Sequence, residues 1–261
     1  MLERITPLIL TRNEEANLQR QLEALAWAKR VVIVDSESTD ATRAIAARFG
    51  NVHFVVRRFD ELARQWNFGL RETGIDTEWI LALDADYGMP PGFEMELRHL
   101  APPDDVDGYR ARFAYCIDGV PLRGTLYPPV TVLFRRERAH FVQDGHAHRV
   151  RVPGRVLPLA TAMRHDDRKP LSRWFESQLS YMRLEAEHLL DTPRRELGRA
   201  DRIRRLVVVA PLLVFFYCLL AKGGLLDGRR GLFYALQRAV AEVILSAFLV
   251  EGAVRRRAGK A

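Results

Sequence analysis

Trp79-Ile80-Leu81-Ala82-Leu83-Asp84-Ala85-Asp86 is an apolar run that turns acidic at its end. Five consecutive apolar residues suit a strand buried on both faces, and two carboxylates two positions apart then close its C-terminal end. The same design recurs upstream. Arg30-Val31-Val32-Ile33-Val34 is β-branched and stops at Asp35, and Leu8-Ile9-Leu10 stops at Thr11-Arg12-Asn13-Glu14-Glu15. Val52 to Val56 reads as a further strand. Between these runs, Leu18, Leu22, Leu25 and Ala26 recur at helical spacing, Ser36 to Asp40 supply loop and cap residues before a helix at 41–49, and a helix around 61–71 precedes Trp79. Alternation of apolar strands with helices predicts an α/β fold with a mixed, mostly parallel sheet and helices on both faces. Its polar clusters sit at strand C-terminal ends, where open α/β sheets bind ligands.

Beyond Asp86 the pattern changes. Tyr109–Tyr115 and Val130–Arg135 read as strands flanking a Gly/Pro-rich stretch, Asp118–Pro129. Arg149–Val156 reads as a hairpin around Pro153-Gly154, and Ser172–Leu190 as a helix carrying Trp174, Leu179, Met182 and Leu189. The expected division is a binding and catalytic domain at 1–170, a helical connector at 171–200 and a basic, apolar tail at 201–261.

Charge separates the tail from the rest. The 261 residues carry a net +7, yet the segment from Arg199 onward has twelve basic and four acidic side chains, leaving the first 198 residues at −1. A neutral domain with a basic, apolar tail points to an anionic lipid surface rather than to nucleic acid. Leu206–Ala221 is uncharged over 16 residues, about 24 Å of helix against a hydrocarbon core of roughly 30 Å. Leu232–Val250 contains Arg238 and Glu242, an i,i+4 pair that can partly neutralise itself. Basic residues flank both segments: Arg202, Arg204 and Arg205 before, Lys222, Arg229 and Arg230 between, Arg255–Arg257 after. Two helices lying in the interface, or a shallow hairpin returning to the same side, fit this pattern; core helices and a two-span anchor are the alternatives. Cys116 and Cys218 form neither a disulfide framework nor a zinc motif, and the N-terminus lacks a signal-peptide pattern. The expected location is the cytoplasmic face of the inner membrane.

Asp84 and Asp86 can jointly meet a divalent cation, Mg2+ or Mn2+, that bridges diphosphate oxygens and acts as a Lewis acid for a leaving nucleoside diphosphate. Asp35 can accept the imide N–H of uracil, and Asp40 suits a helix cap. Arg64 offers a forked cation for phosphate or ribose, with a surface arginine on an amphipathic helix as the plain alternative. Asp144, before Gly145, is the candidate base for an acceptor hydroxyl, with His146 and His148 placed to tune it or touch substrate. His165 can add a nitrogen ligand to the metal, and Arg168 and Lys169 can meet the diphosphate. A turn aspartate and a polar loop are the corresponding structural alternatives.

Thr11-Arg12-Asn13-Glu14-Glu15, Val34-Asp35-Ser36-Glu37-Ser38-Thr39-Asp40, Gln65 with Asn67 and Leu70, and Leu83-Asp84-Ala85-Asp86 together resemble family 2 glycosyltransferases. Lys222-Gly223-Gly224-Leu225-Leu226-Asp227-Gly228-Arg229-Arg230-Gly231 is similar to the C-terminal signature of the lipopolysaccharide-core β-glycosyltransferase branch. The resemblance implies a GT-A fold, a nucleotide-sugar donor (usually UDP-linked), a divalent metal and inversion at the anomeric carbon. It also implies a nucleotide pocket at Thr11, Asn13, Glu14 and Asp35, with Asp84 and Asp86 at diphosphate and metal. Two departures stand out: Asp144-Gly145-His146-Ala147-His148 occupies the place of the branch's common His-Glu, and Tyr87 follows the acidic pair where an acidic residue is frequent. The implied acceptor is a membrane glycolipid. Transfer to polyprenyl phosphate and a non-catalytic membrane-bound scaffold are the rivals. A sugar-phosphate nucleotidyltransferase would need a Gly-rich loop after the first strand, and Thr11–Glu15 has no glycine.

Overall fold

The computed structural model describes residues 1–144 and 147–258, with the side chains of 144, 147, 148, 257 and 258 left aside. The chain divides into two compact units, the first comprising Met1–Pro121, Tyr127–Gln143 and Ala147–Lys169. The second is built on 170–258 and takes in Leu122–Leu126.

In the first unit the four expected strands form with helices between them: β1 (Ile5–Thr11), α1 (Leu18–Ala24), β2 (Val31–Asp35), α2 (Thr42–Ala46), β3 (Val52–Val56), α3 (Leu62–Glu72) and β4 (Trp79–Asp84). There follow β5 (Tyr87–Gly88), α4 (Phe93–His99), β6 (Val106–Ala111), β7 (Phe113–Ile117), β8 (Val120–Pro121), β9 (Val130–Arg135), β10 (His140–Asp144), β11 (Ala147–Arg151), β12 (Arg155–Pro158) and β13 (Met163–His165). The main sheet runs β12-β6-β9-β4-β1-β2-β3. Its β4-β1-β2-β3 portion is parallel, and β9 enters antiparallel to both β4 and β6. Alternate side chains leave opposite faces of a strand. Ile9, Ile33, Trp79 and Leu81 therefore pack into one core, while Leu8, Val32, Val34 and Ile80 pack into another with Trp66 and Leu70 of α3. At Gly69 a Cβ would lie 2.9 Å from Leu8 Cδ1, so α3 reaches the sheet only because that position has no side chain.

Two expectations are corrected here. Tyr109–Tyr115 does not form one strand; it breaks at Arg112, with β6 in the main sheet and β7 in a smaller one ordered β5-β13-β7-β8. Arg149–Val156 does not form a hairpin either. β11 pairs with β10 while β12 lies parallel to β6. The buried Asp107 carboxylate accepts the Gly154 N–H at 2.7 Å and binds Arg138 at 2.8 Å, tying the Pro153-Gly154 turn to β6 instead.

The second unit is helical: α5 (Leu171–Asp191), α6 (Arg199–Arg204), α7 (Val209–Phe216) continuing into a π turn at Tyr217–Ala221, and α8 (Gly228–Ala258). Met182, Ala186 and Leu189 of α5 pack with Ala241, Leu245 and Leu249 of α8. The helix expected as a connector and the apolar tail thus share one core. Glu242 does not pair with Arg238, contrary to the i,i+4 expectation. Arg204 takes it instead, with Nε 3.0 Å from Glu242 and NH1 2.5 Å from Glu185. Where α8 begins, a Cβ on its Gly231 would collide with the Gly224 carbonyl of the preceding turn. Asp227 accepts the Arg123 N–H at 3.0 Å and the Tyr234 hydroxyl accepts the Leu126 N–H at 2.9 Å. The 222–231 motif is therefore a close-packed corner that holds a passing strand of chain.

Removing one partner of a buried ion group strands the others. Arg204→Ala is expected to destabilise the helical unit by about 3 kcal/mol. Arg204→Met with Glu185→Leu and Glu242→Leu should recover most of that loss. Denaturation midpoints followed through Trp174 on α5 compare the two variants.

Candidate active site

Strand register places the site. Leu10 of β1 lies opposite both Val34 of β2 and Asp84 of β4, and Thr11 lies opposite Asp35. Three acidic or hydroxylic strand ends therefore finish level. Asp35 is buried and accepts the Thr11 hydroxyl at 2.7 Å, the Ser38 hydroxyl at 2.5 Å and the Ser38 N–H at 2.8 Å. Of about four lone-pair positions on a carboxylate, one is left for an incoming donor. The β1 and β2 loops are stitched to each other by further bonds. Asn13, in the left-handed region at φ 55°, takes the Thr39 N–H at 2.8 Å and gives its own N–H to Ser38. Glu14 N–H goes to Thr42, and Glu15 N–H to Asp40. Asp40 also receives the Thr42 N–H and hydroxyl at the start of α2, whose N-cap position is Ala41. Burial pushes the Asp40 pKa up, but these hydrogen bonds outweigh that and lower it.

Asp84 and Asp86 stand at the end of β4, with His165 Nε2 3.6 Å from Asp86 Oδ2. Burial pushes both carboxyl pKa values up, and the pull of His165 and Lys169 does not overcome it. Asp86 Oδ1 and His165 Nδ1 are buried without a hydrogen-bond partner. Two unpartnered lone-pair atoms of this kind, beside carboxylates held in a poorly solvated place, are what a cation would satisfy. Among the described residues no three metal-binding side chains form a ready cage.

The loop after β13 is fastened by α1. Asn17, buried at the start of α1, donates to Glu14 and Asp167, both at 2.9 Å, and accepts the Arg168 N–H at 3.0 Å. Arg20 reaches the Asp166 carbonyl at 2.8 Å, and Gln21 the Asp84 carbonyl at 2.6 Å. Lys169 binds Glu14 at 2.6 Å. Burial raises the Glu14 pKa to about 7 against the pull of Lys169, with Asp86 adding to the rise. For Lys169, burial works against the charge, but Glu14 and Asp167 outweigh it and the ammonium stays protonated.

Thr11, Asn13, Glu14, Asp35, Asp84, Asp86, His165 and Lys169 are thus all carried by strand ends or by the loops that follow them. Arg168 lies in the same loop but pairs with Asp166. Arg64 is not among them. Its side chain is 69% exposed and pairs with Asp60 and Glu61 on the outer face of α3. Its neighbour Gln65 points inward and donates to the Ser36 hydroxyl at 3.0 Å, because one helical step turns the side chain by about 100°. Asp144 ends β10 rather than sitting in a loop; its side chain and all of His146 lie outside the described residues. Sequence reasoning missed Asn17, Arg20, Gln21, Asp166, Asp167, Tyr115 and Tyr127. The polarity of three residues within one turn of α1 was the available signal.

The family model for glycosyl transferase family 2 matches residues 8–150. The chain belongs to that family. The mixed, mostly parallel sheet, with polar and acidic residues at its strand ends, is the GT-A arrangement. A lipopolysaccharide core biosynthesis glycosyltransferase, LpsC of Rhizobium meliloti, is 27% identical over 236 residues, covering 85% of this chain and 82% of the relative. An uncharacterised glycosyltransferase of Rickettsia bellii is 33% identical over 110 residues, and the match spans only 42% of this chain and 36% of that relative. Among solved structures, residues 1–349 of S. aureus TarS with UDP-GlcNAc align over 97% of this chain and 91% of that one, at 17% identity and a TM-score of 0.48. A glucosyl-3-phosphoglycerate synthase of Mycobacterium tuberculosis, with Mn2+, UDP and glucosyl-3-phosphoglycerate, aligns over 70% of this chain and 79% of that one, at 12% identity and a TM-score of 0.45.

Asn17 ties Glu14 to the Asp167–Arg168 loop, so its loss leaves several partners unsatisfied. Asn17→Ala is expected to cost about 2–3 kcal/mol. It should also speed hydrogen exchange at the Arg168 and Lys169 amides, while the β1 amides stay protected.

Proposed function

We propose that this chain is a metal-dependent, inverting glycosyltransferase that moves a sugar from a nucleotide donor, UDP-linked, to a membrane glycolipid of the lipopolysaccharide-core or cell-envelope type. The observation that carries this is the level ending of β1, β2 and β4. It puts the Asp35–Thr11 loop pair beside Asp84 and Asp86, with Asp86 Oδ1 and His165 Nδ1 unpartnered. The remaining lone-pair position on Asp35 suits the imide N–H of uracil, and the Asn13 loop lines the same edge. Asp84, Asp86 and His165 would hold Mg2+ or Mn2+, which supplies Lewis-acid neutralisation of the charge gathering on the departing diphosphate. Asp144 takes the proton of the acceptor hydroxyl as its oxygen bonds to the anomeric carbon and the bond to diphosphate breaks. Attack from the face opposite the leaving group inverts that carbon. The name of the Rhizobium relative supports an envelope-glycan acceptor.

The helical unit suits an acceptor held in a membrane. Val208, Leu212, Leu220, Leu225 and Leu226 are exposed, the last by 71%. Arg202, Arg205, Arg229 and Arg230 flank them, and each basic residue contributes about 1 kcal/mol near an anionic surface. Gly224–Arg256 is long and apolar enough to cross a bilayer. Its pairing with α5 and the buried Glu242 favour a helix lying in the interface, and the basic residues that flank it suit the cytoplasmic face.

A ligand that binds only the native state raises its melting temperature. UDP with Mn2+ should raise Tm, and Asp86→Asn should lose the Mn2+-dependent part while keeping the unliganded Tm. No cation-dependent shift with any nucleoside diphosphate would remove the metal reading. Leu220→Glu, Leu225→Glu and Leu226→Glu combined should abolish flotation with phosphatidylglycerol liposomes and leave the helical circular dichroism intact. Undiminished flotation would exclude this face as the lipid contact.

A further inference from the structure

Three polar side chains on the packed side of α8 have partners inside the helical unit. Tyr234 accepts the Leu126 N–H at 2.9 Å, and its hydroxyl lies 3.5 Å from that of Thr125. Glu242 is held by Arg204 at 3.0 Å, and Ser246 donates to the Val207 carbonyl at 2.6 Å. Arg238 stands between them, one turn after Tyr234 and one turn before Glu242. Its Nε is buried without a hydrogen-bond partner, and among the described residues no acid pairs with it, because Arg204 has taken Glu242. The carbonyl oxygen of the adjoining residue, Gln237 Oε1, is likewise buried and unpaired.

Helical phase excludes the plainest outlet for this charge. Each residue turns by about 100° around the axis, so Arg238 leaves α8 on the side opposite Leu236 and Val243, which are exposed. Its stem cannot carry the guanidinium to a lipid surface on that side. A second cation lies nearby. Burial raises the pKa of Cys218, on the π turn, against the pull of both Arg238 and Lys222. Lys222 also forms no ion pair among the described residues; its ammonium sits 5.5 Å from the centroid of the Tyr217 ring. A buried guanidinium without counter-charge and a buried amide oxygen without a donor both cost stability. Packing alone gives no reason to keep them side by side.

We propose that Arg238 is a specificity-determining residue for the acceptor, binding a phosphate or carboxylate group carried on its sugar. The guanidinium fork matches two oxygens of either group. Lys222 adds to the attraction, and Gln237 accepts a hydroxyl of the same sugar. A neutral glycan offers the hydroxyl but no counter-charge. The proposal rests on the reading of this chain as a transferase with a glycolipid acceptor, and it narrows that acceptor to an anionic one.

Thermal-shift titration of the full chain with glucose-6-phosphate, glucuronate and glucose tests it. Both anionic sugars should stabilise the parent, and glucose should not. Arg238→Met and Arg238→Gln should each weaken anionic-sugar binding by about tenfold or more, the loss of one charge-assisted pair. The unliganded Tm of Arg238→Met should equal or exceed that of the parent, since an unpaired buried charge is gone. A lowered Tm in both variants would mark the arginine as structural and overturn the proposal. So would variants that bind as the parent does, or a parent that binds neither anionic sugar. Inorganic phosphate and dihexanoyl phosphatidylglycerol separate the sources of the anion: tighter binding of either than of the sugars would make this a free-anion or lipid-headgroup site and exclude the acceptor role. UDP with Mn2+ tests the donor site separately. A parent that responds to anionic sugars but not to UDP with Mn2+ would overturn the transfer reading, and the acceptor role with it, while keeping the anion site.

Discussion

Strands β1, β2 and β4 are parallel, adjacent and aligned so that Leu10, Val34 and Asp84 stand at one level. Parallel pairing leaves this register little freedom. A slip of one residue would turn every buried side chain of a strand to the opposite face, and both faces here are filled with large apolar groups. The register that protects the core is therefore the one that brings Thr11, Asp35 and Asp84 together. The loops beyond the strand ends add reciprocal backbone and side-chain bonds, so Asn13 and Glu14 are held from both sides.

The acidic character of this edge sets the second constraint. Asp84, Asp86, Glu14, Asp166 and Asp167 crowd one region, with Lys169, Arg20 and Arg168 as the neighbouring cations. Each cation is drawn to the flank: Lys169 to Glu14, and both arginines to Asp166. Among the described residues His165 approaches Asp86 most closely, at 3.6 Å, and burial raises both carboxyl pKa values against the pull of His165 and Lys169. A group of carboxylates that the protein neither neutralises nor exposes is suited to a small cation carrying its own charge. The rings of Tyr87, Tyr115 and Tyr127 pack around the His165 imidazole, adding order without adding charge.

The helical unit handles charge in the reverse way. Arg204 meets Glu185 and Glu242 so completely that a long apolar helix can carry an acid inside its packed face. One side of α8 is sealed against α5, and large apolar residues of α7 and the following turn face outward among arginines. The unit thus combines a packed, charge-paired core with an outward-facing apolar surface.

The strand-helix order, the apolar strands and the acidic strand ends were legible in the sequence because each is a local pattern: a run of β-branched residues, a period of 3.6, a carboxylate after a hydrophobic stretch. The motif residues Thr11, Asn13, Asp35, Asp84 and Asp86 follow those strands directly, so their place at one sheet edge came with the fold class. Partnerships between distant segments were not legible. Glu242 meets Arg204 rather than Arg238, Gly154 is tied to Asp107 rather than to a hairpin, and Asn17 joins residues some 150 positions away. Helical phase separated Arg64 from Gln65, and the small sheet that lines up Tyr87, His165 and Tyr115 joins strands of two to five residues, too short to leave a periodic trace. Local chemistry determined which residues could serve; only the packing of the chain on itself decided which of them meet.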